Sequence, residues 1–252
     1  MKLSAAIITF NEEKNIQRCI ESLLPVADEI LIVDSFSTDK TKEIALQYKH
    51  VHFIENPFEG HIQQKNFALK NAKNDWVLSL DADEALTPEL TQSISKAFQS
   101  PTADGYKFNR LTYYCGHWVK HCGWYPDTKV RLVRKENAQW RGENPHDRLE
   151  VLDGTNIVHL QGDLLHYSYY SAEQHYKQIE YFGDIAAKAA FAKGKRSNWL
   201  KIYGKSCFQF IKSYFLKLGI LDGKTGWLIS KRSAYATYRK YVKLLNLQRD
   251  NS

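Results

Sequence analysis

The chain has 252 residues, 43% of them hydrophobic and 25% charged, which describes a globular chain with a sizeable core and excludes a disordered one. Its net charge of +7 conceals a gradient: residues 1–100 carry 10 basic and 15 acidic groups, residues 101–170 carry 9 and 8, and residues 171–252 carry 16 and 5. An acidic beginning and a basic end predict a charged partner at one end.

Cys19, Cys115, Cys122 and Cys207 match no zinc or redox spacing and read as reduced cytosolic thiols. The apolar stretch after Met1 is too short for a signal peptide and reads as a strand. The sequence has no uncharged apolar run of about 18 residues, so no transmembrane helix is expected.

In chain order, residues 3–9 form a short apolar run suited to a buried strand. Residues 12–24 place Ile16, Ile20, Leu23 and Leu24 at helical spacing and stop at Pro25. Residues 29–34 predict a second strand, 38–48 a helix capped by Ser37 or Thr38, and 51–55 a third strand. Residues 62–72 predict a helix, 76–80 a fourth strand, and 87–98 a helix with Pro88 in its first turn. This alternation implies a mainly parallel sheet covered on both faces, with ligands beyond the carboxyl ends of its strands. Asn11-Glu12, Asp34-Ser35 and Asp81–Glu84 all follow strand ends and should converge on one crevice.

Strands of a mixed sheet are expected around residues 105–114, 129–134 and 156–160, separated by loops rich in Gly, His, Trp and Tyr. Helices are expected over 174–191, with Ser171 as cap, then 198–218 and 225–245. The domain reading is one α/β domain over residues 1–170, in halves of about 1–100 and about 101–170, followed by a basic amphipathic helical region over 171–252.

The sharpest chemical feature is Asp81-Ala82-Asp83 after an apolar strand. Two carboxylates two residues apart at a strand end suit Mg²⁺ or Mn²⁺ bridged to diphosphate oxygens, or else a solvated turn that caps a helix. Asp34 can accept hydrogen bonds from a base or ribose, or cap the next helix. Neither early loop is glycine-rich, so phosphate-loop chemistry does not apply. Cys115, His117, His121 and Cys122 lie close in sequence but lack zinc spacing. Trp124 and Tyr125 can stack on an acceptor sugar or pack a core. The pair Arg131 and Arg134, on one face of a strand, can contact phosphate or serve strand-edge solubility.

Thr9-Phe10-Asn11-Glu12, the run Val33–Asp39, Gln64-Lys65-Asn66 and Asp81-Ala82-Asp83 together resemble the inverting family 2 glycosyltransferases. Where many members have two carboxylates after the second strand, this chain has Asp34-Ser35. Cys122–Asp127, Arg131–Arg134, Asn144–Asp147, Leu165–Tyr169 and Leu221–Gly226 resemble the branch that includes bacterial lipopolysaccharide core β-1,4-glucosyltransferases. The resemblance implies the GT-A fold, a Rossmann-like mixed sheet with helices on both faces, and makes residues 1–170 the catalytic domain, its nucleotide-sugar half about 1–100 and its acceptor half about 101–170. It implies that Thr9, Asn11, Glu12, Asp34, Lys65 and Asp81 line the nucleotide-sugar site and that Asp83 and His166 hold the divalent cation. It also implies that Asp147 is the catalytic base. Beside that role, Asp147 can instead form a surface ion pair with Arg148, and Glu143 and Asp127 compete with it as base. Glu84 reads as a supporting group or cap. Acceptor contacts are expected from Trp124, Tyr125 and Arg131. Inversion needs a single in-line attack, one carboxylate to take the hydroxyl proton and a cation for the leaving diphosphate.

The last helices mix aromatics with lysines: Trp199, Tyr203, Phe208 and Phe215 alternate with Lys201, Lys205, Lys212 and Lys217. That pattern fits an amphipathic helix on an anionic leaflet, with packing on the catalytic domain or a second subunit as the alternative for its apolar face. Nucleic acid is disfavoured as partner, since no recognised binding motif accompanies the basic charge. The sequence therefore predicts a cytoplasmic enzyme, peripheral on the inner membrane, that moves a hexose from a UDP-linked donor to a lipopolysaccharide core or other surface glycan. The alternatives are a nucleotidyltransferase and a basic membrane- or nucleic-acid-binding adaptor with an inactive domain.

Overall fold

The structure is a computed structural model that describes residues 1–99, 102–143 and 146–250, with the side chains of all but Glu143 and His146. The elements are β1 (Leu3–Thr9), α1 (Ile16–Leu23), β2 (Glu29–Asp34), α2 (Thr41–Ala45), β3 (Val51–Glu55), α3 (His61–Asn71), β4 (Trp76–Asp81), β5 (Glu84–Leu86) and α4 (Pro88–Gln99). They continue with β6 (Gly105–Tyr114), β7 (His117–Val119), β8 (Asp127–Arg134), β9 (Ala138–Glu143), β10 (His146–Val151), β11 (Ile157–Tyr169), α5 (Ala172–Ala192), α6 (Trp199–Ile211) and α7 (Gly223–Asp250). A π-helical turn over Lys212–Leu216 and a 3-10 turn over Gly219–Asp222 join α6 to α7.

Contacts divide the chain into two units: residues 1–110 with 127–167, and Leu111–Pro126 with Ser168 onward. The main sheet has the order β3-β2-β1-β4-β8-β6-β11-β5, with β7 paired to β6. Strands β1 to β4 are parallel, and β8 joins β4 antiparallel. The first four strands are thus the parallel part that the alternation implies, and the antiparallel strands β8, β6, β11 and β5 beside them complete the expected mixed α/β sheet.

Side-chain alternation on the strands explains why both faces are covered. In the first unit, Leu3, Ala5, Ile7, Ile30, Ile32, Leu78 and Leu80 pack under Ile16, Ile20 and Leu23 of α1 and Leu90 and Ile94 of α4. Their neighbours Ala6, Leu31, Val33 and Val77 face Ala68 and Leu69 of α3, and Trp140 and Leu149 of the β9–β10 hairpin. Gly162 is required where β11 crosses α4: its φ is +93°, and a Cβ there would strike the backbone of Leu90.

Several boundaries differ from the sequence pattern. Helix α1 begins at Ile16 because the amides of Asn15 and Ile16 both bond to the Glu12 carbonyl in a preceding turn. Helix α2 covers only Thr41–Ala45, and Asp39, not Ser37 or Thr38, supplies its first hydrogen bonds, to Thr41 N at 2.9 Å. Ser37 and Thr38 are taken instead by Asp34 and Asn11. The β9–β10 hairpin replaces an expected loop, and β11 is far longer than the strand around 156–160.

In the second unit, Ser171 caps α5 in a reciprocal box with Gln174, as its position predicts. Tyr114, Val119, Cys122 and Ile229 form a small core, with Trp124, Tyr169 and Leu228 against it. Helices α5 and α7 are joined by Glu180, whose carboxylate bonds Arg239 at 2.7 Å and Lys243 at 3.2 Å. At the start of α7, Gly226 lies so close to the Gly219 carbonyl that a Cβ would overlap it. No described helix is long and apolar enough to cross a membrane.

Candidate active site

Strand register gathers the site. Thr9 pairs with Asp34 and Ile8 with Asp81, so the carboxyl ends of β1, β2 and β4 lie side by side. The loops after β1 and β2 are stitched together. Asn11 Oδ1 accepts the Thr38 amide at 2.8 Å, the Asn11 amide donates to Ser37 Oγ at 2.8 Å, and the Glu12 amide donates to Thr41 Oγ1 at 2.8 Å. Asn11 has φ +55°, a left-handed turn that asparagine tolerates and that starts this lacing. Asp34 is buried, and its two oxygens accept from the Ser37 amide at 2.7 Å and the Ser37 hydroxyl at 2.5 Å. Its carboxylate thus shapes the turn between β2 and α2.

Three consecutive residues of α3 tie three elements to this point. Gln64 donates to Ser35 Oγ at 3.0 Å, and Asn66 pairs with both the amide and the carbonyl of Trp140 at 2.9 Å. Between them Lys65, with a side chain 6% exposed, places its ammonium 3.0 Å from Asp81 and 2.8 Å from Asp147. The ring of Trp140 lies 4.4 Å from that ammonium.

Asp147 stands on β10 rather than in a loop. Alternation turns it and Arg148 to opposite faces, so the expected Asp147–Arg148 pair does not form: Arg148 binds Glu150 at 2.6 Å, while Asp147 reaches Lys65. Of the competing carboxylates, Asp127 is held by Arg110 at 2.8 Å and Lys129 at 2.9 Å. Burial would raise its pKa, but these cations lower it. The Glu143 side chain, Asn144, Pro145 and the His146 side chain lie outside the described residues.

A second cation closes over Asp81. Arg131 is 3% exposed and reaches Glu84 at 3.0 Å and Asp81 at 3.5 Å. Expected at an acceptor contact, Arg131 is instead buried on β8 with its guanidinium turned to these two carboxylates. Arg131 and Arg134 do not share a face either, since Arg131 lies by Trp140 and Arg134 by Trp76, on opposite sides of the sheet. The ladder explains its aim. Tyr106 pairs with Leu132 and Lys107 with Val130, so Arg131 is the extra residue of a bulge. Glu84, fully buried, also accepts the Asp81 amide at 3.0 Å, which fits a supporting group. Burial of Asp81 opposes ionisation, yet Lys65 and Arg131 outweigh it and hold its carboxyl well below the usual range.

His166 arrives from far along the chain because β11 pairs with β5, setting His166 opposite Glu84. The Tyr167 amide bonds the Asp83 carbonyl at 2.9 Å, and His166 Nε2 lies 3.2 Å from Asp83 Oδ2. That separation is close to the roughly 3 Å between adjacent ligands of an octahedral Mg²⁺-type ion. Among the described residues no third His, Cys, Asp or Glu completes a cluster. This suits an ion bound by one or two protein groups together with substrate phosphates and water. The Asp83–His166 pair therefore fits a divalent cation.

Glu12 sits beside this pair. Burial raises its pKa to about 7 despite the hydrogen bond from Asn15, with Asp83, Asp39 and Asp81 adding to the rise. Near neutral pH it can donate as well as accept a hydrogen bond. Thr9 Oγ1, Arg131 Nε and Trp140 Nε1 are buried without a hydrogen-bond partner, all in this neighbourhood. Such orphans mark places where water or ligand completes the bonding.

Trp124 and Tyr125 belong to the second unit. Trp124 packs there against Tyr114 at 5.8 Å, His175 at 5.8 Å and Tyr169 at 6.0 Å, so its ring serves that unit's own core. His117 and His121 both turn to the buried Asp222. The residues that motif reasoning missed are Arg131 as partner of Asp81 and Trp140 beneath Lys65. The available signal was an arginine inside the apolar run Val130–Val133, since a buried charge needs a buried counter-charge.

A family model described as Glycosyl transferase family 2 matches residues 4–159. An uncharacterized glycosyltransferase of Rickettsia bellii is 32% identical, the match covering 98% of this chain and 87% of that one. The lipopolysaccharide core biosynthesis glycosyltransferase LpsC of Rhizobium meliloti is 27% identical, covering 96% of this chain and 94% of that one. Among solved structures, S. aureus TarS 1–349 in complex with UDP aligns at a TM-score of 0.49 and 15% identity, over 100% of this chain and 92% of that one.

Proposed function

Because the chain belongs to glycosyl transferase family 2, we propose that it is an inverting hexosyltransferase whose reacting groups are those gathered at the ends of β1, β2 and β4. The observation that carries this reading is the shared ammonium of Lys65, 3.0 Å from Asp81 and 2.8 Å from Asp147, beside the Asp83–His166 pair. Four separate elements contribute to that one spot.

In this reading Thr9, Asn11, Glu12 and Asp34 form the floor for the base and ribose of a UDP-linked donor. Asp81 and Lys65 stand by the ribose and diphosphate. Asp83 and His166 would hold Mg²⁺ or Mn²⁺, which would supply positive charge for the leaving diphosphate. The acceptor hydroxyl attacks the anomeric carbon, a new C–O bond forms, and the bond from that carbon to the diphosphate oxygen breaks. Asp147 takes the hydroxyl proton, and the nucleoside diphosphate departs. Lys65, 2.8 Å away, holds Asp147 in place for that proton. Arg131 and Glu84 act through Asp81 as positioning residues.

The resemblance to core β-1,4-glucosyltransferases makes glucose the first hexose to test, and the acceptor is a lipopolysaccharide core or related surface glycan. LpsC, similar along nearly the whole chain, is named for lipopolysaccharide core biosynthesis. Such an acceptor makes this a cytoplasmic enzyme, peripheral on the inner membrane. Incubation with UDP-glucose, acceptor glycan and Mn²⁺ should release UDP and not pyrophosphate; pyrophosphate release from a nucleoside triphosphate would replace this reading with nucleotidyl transfer. A thermal-shift screen of nucleotide-sugars, with and without Mn²⁺, should give its largest stabilisation with the true donor.

A further inference from the structure

Helix α6 is divided lengthwise into three stripes. Ile202 is its only buried residue, and with Ser206 and Gln209 it forms the stripe turned inward. A second stripe is exposed and apolar: Leu200, Tyr203, Phe208 and Ile211, with Leu200 82% exposed. The π-helical turn extends it through Phe215 and Leu216, the latter 66% exposed. A third stripe consists of Lys201, Lys205 and Lys212, all exposed. An exposed apolar stripe of this length is unusual for a free surface and marks an interface.

Charge identifies what covers it. From residue 185 to residue 249 the chain has 15 Lys and Arg and one carboxylate, Asp222. That carboxylate is buried and engaged by the His121 amide and ring, both at 2.9 Å. A second copy docking symmetrically by this face would set lysine stripe against lysine stripe. An anionic leaflet instead accepts the apolar stripe among its acyl chains and the lysines among its phosphates. Trp199 and Tyr203, stacked at 6.1 Å, are rings of the kind that settle at headgroup level.

We infer that the α6 face and the turn after it form a docking surface for an anionic lipid bilayer, on which α6 lies flat with Leu200, Phe208, Phe215 and Leu216 inserted. This surface deepens the proposed peripheral location by naming the face and the lipid charge that would carry it, and it rests on the transfer reading only for the acceptor it would help to reach.

Vesicle flotation of the full chain tests it. The protein should float with phosphatidylcholine vesicles containing phosphatidylglycerol, and should fall away on pure phosphatidylcholine or at high salt. Replacing Lys201, Lys205 and Lys212 with Gln should weaken binding about a hundredfold, from about fivefold for each lysine. Leu200→Ser with Phe208→Ser should abolish flotation without lowering Tm, because both side chains are already exposed. Equal binding to neutral and anionic vesicles, or none to either, would overturn the inference. So would a lipid-free dimer in ultracentrifugation that Phe208→Ser dissolves. UDP release with a detergent-dispersed acceptor should stay within about twofold in all these variants. Flotation and transfer can therefore fail independently.

Discussion

The first unit gathers its buried charges at one set of strand ends, whereas the second buries Asp222 against His117 and His121 and keeps most of its lysines and arginines at the surface. In the first, buried Lys65, Arg131 and Glu84 make an ionic network with the partly exposed Asp81 and Asp147 around strand ends. In the second, the interior is aromatic rings, small residues and hydroxyls: Tyr114, Cys122, Ser213, Gly219, Gly226 and Ser230. Burying ions costs several kcal/mol apiece unless each is paired, so a fold spends that energy where a charged substrate must be met. The difference teaches how to read motifs that a family shares. Those of the first unit gather charged groups at one set of strand ends. Leu221–Gly226 and Cys122-Gly123-Trp124 in the second place packing: Asp222 ties down His121, and Gly226 lets α7 pass Gly219.

The comparison is sharpened most by removing chemistry from the first unit. Asp83→Ala should lower transfer by about 10³-fold or more while leaving Tm almost unchanged, measured as UDP release and thermal unfolding. Asp147→Asn should lower transfer about 10²–10⁴-fold and preserve UDP binding by calorimetry; loss of UDP binding instead would place Asp147 with the nucleotide. Lys65→Met should do both kinds of damage. It leaves Asp147 without its cation and Asp81 with Arg131 alone, costing about 3 kcal/mol in denaturant unfolding besides activity.

Packing variants in the second unit should show the reverse. Gly226→Ala forces a methyl onto the Gly219 carbonyl and should cost about 1–3 kcal/mol of stability. Nucleotide binding measured below the melting transition should persist. If Gly226→Ala instead removed UDP binding in folded protein, the division of labour would be broken.

The smallest expected effect is in pH dependence, and it has opposite sign in the two units. Burial, aided by Arg232, lowers the pKa of His175 to about 4. Its folded value lies below its unfolded one, so the stability tied to it is present above about pH 6.5 and lost as pH falls towards 4. Glu12 is raised to about 7, so its contribution is present below about pH 4.5 and lost as pH rises through 7. Unfolding followed across pH 4–8 should become less acid-sensitive in His175→Gln and less alkali-sensitive in Glu12→Gln. An unchanged profile in both would remove these two groups as the source.

Much of the first unit was legible because its signals are local. Apolar runs ending in Asn11-Glu12, Asp34 and Asp81–Asp83 give strands and their ends directly, and parallel pairing then brings those ends together. What was not legible depends on distant pairing. His166 meets Asp83 only because β11 pairs with β5. Asp147 meets Lys65 only because Asn66 grips Trp140 of the hairpin. Short α2 was overread because Ser37 and Thr38 are residues that cap helices, and here they bond across to another loop. In the second unit the helices and the Ser171 cap were legible, while the π-helical turn after α6 left no mark in an unbroken helical pattern.

The bulge in β8 has a consequence best put in terms of insertion and deletion. Pairing runs on either side of Arg131 with the residue itself skipped, so the ladder to β6 would close without it and keep every other partner. A deletion of this one position would therefore spare the sheet and strip Asp81 of its second cation. The strand carries one residue more than its pairing requires, and that surplus residue is what connects the architecture to the charge it must steady.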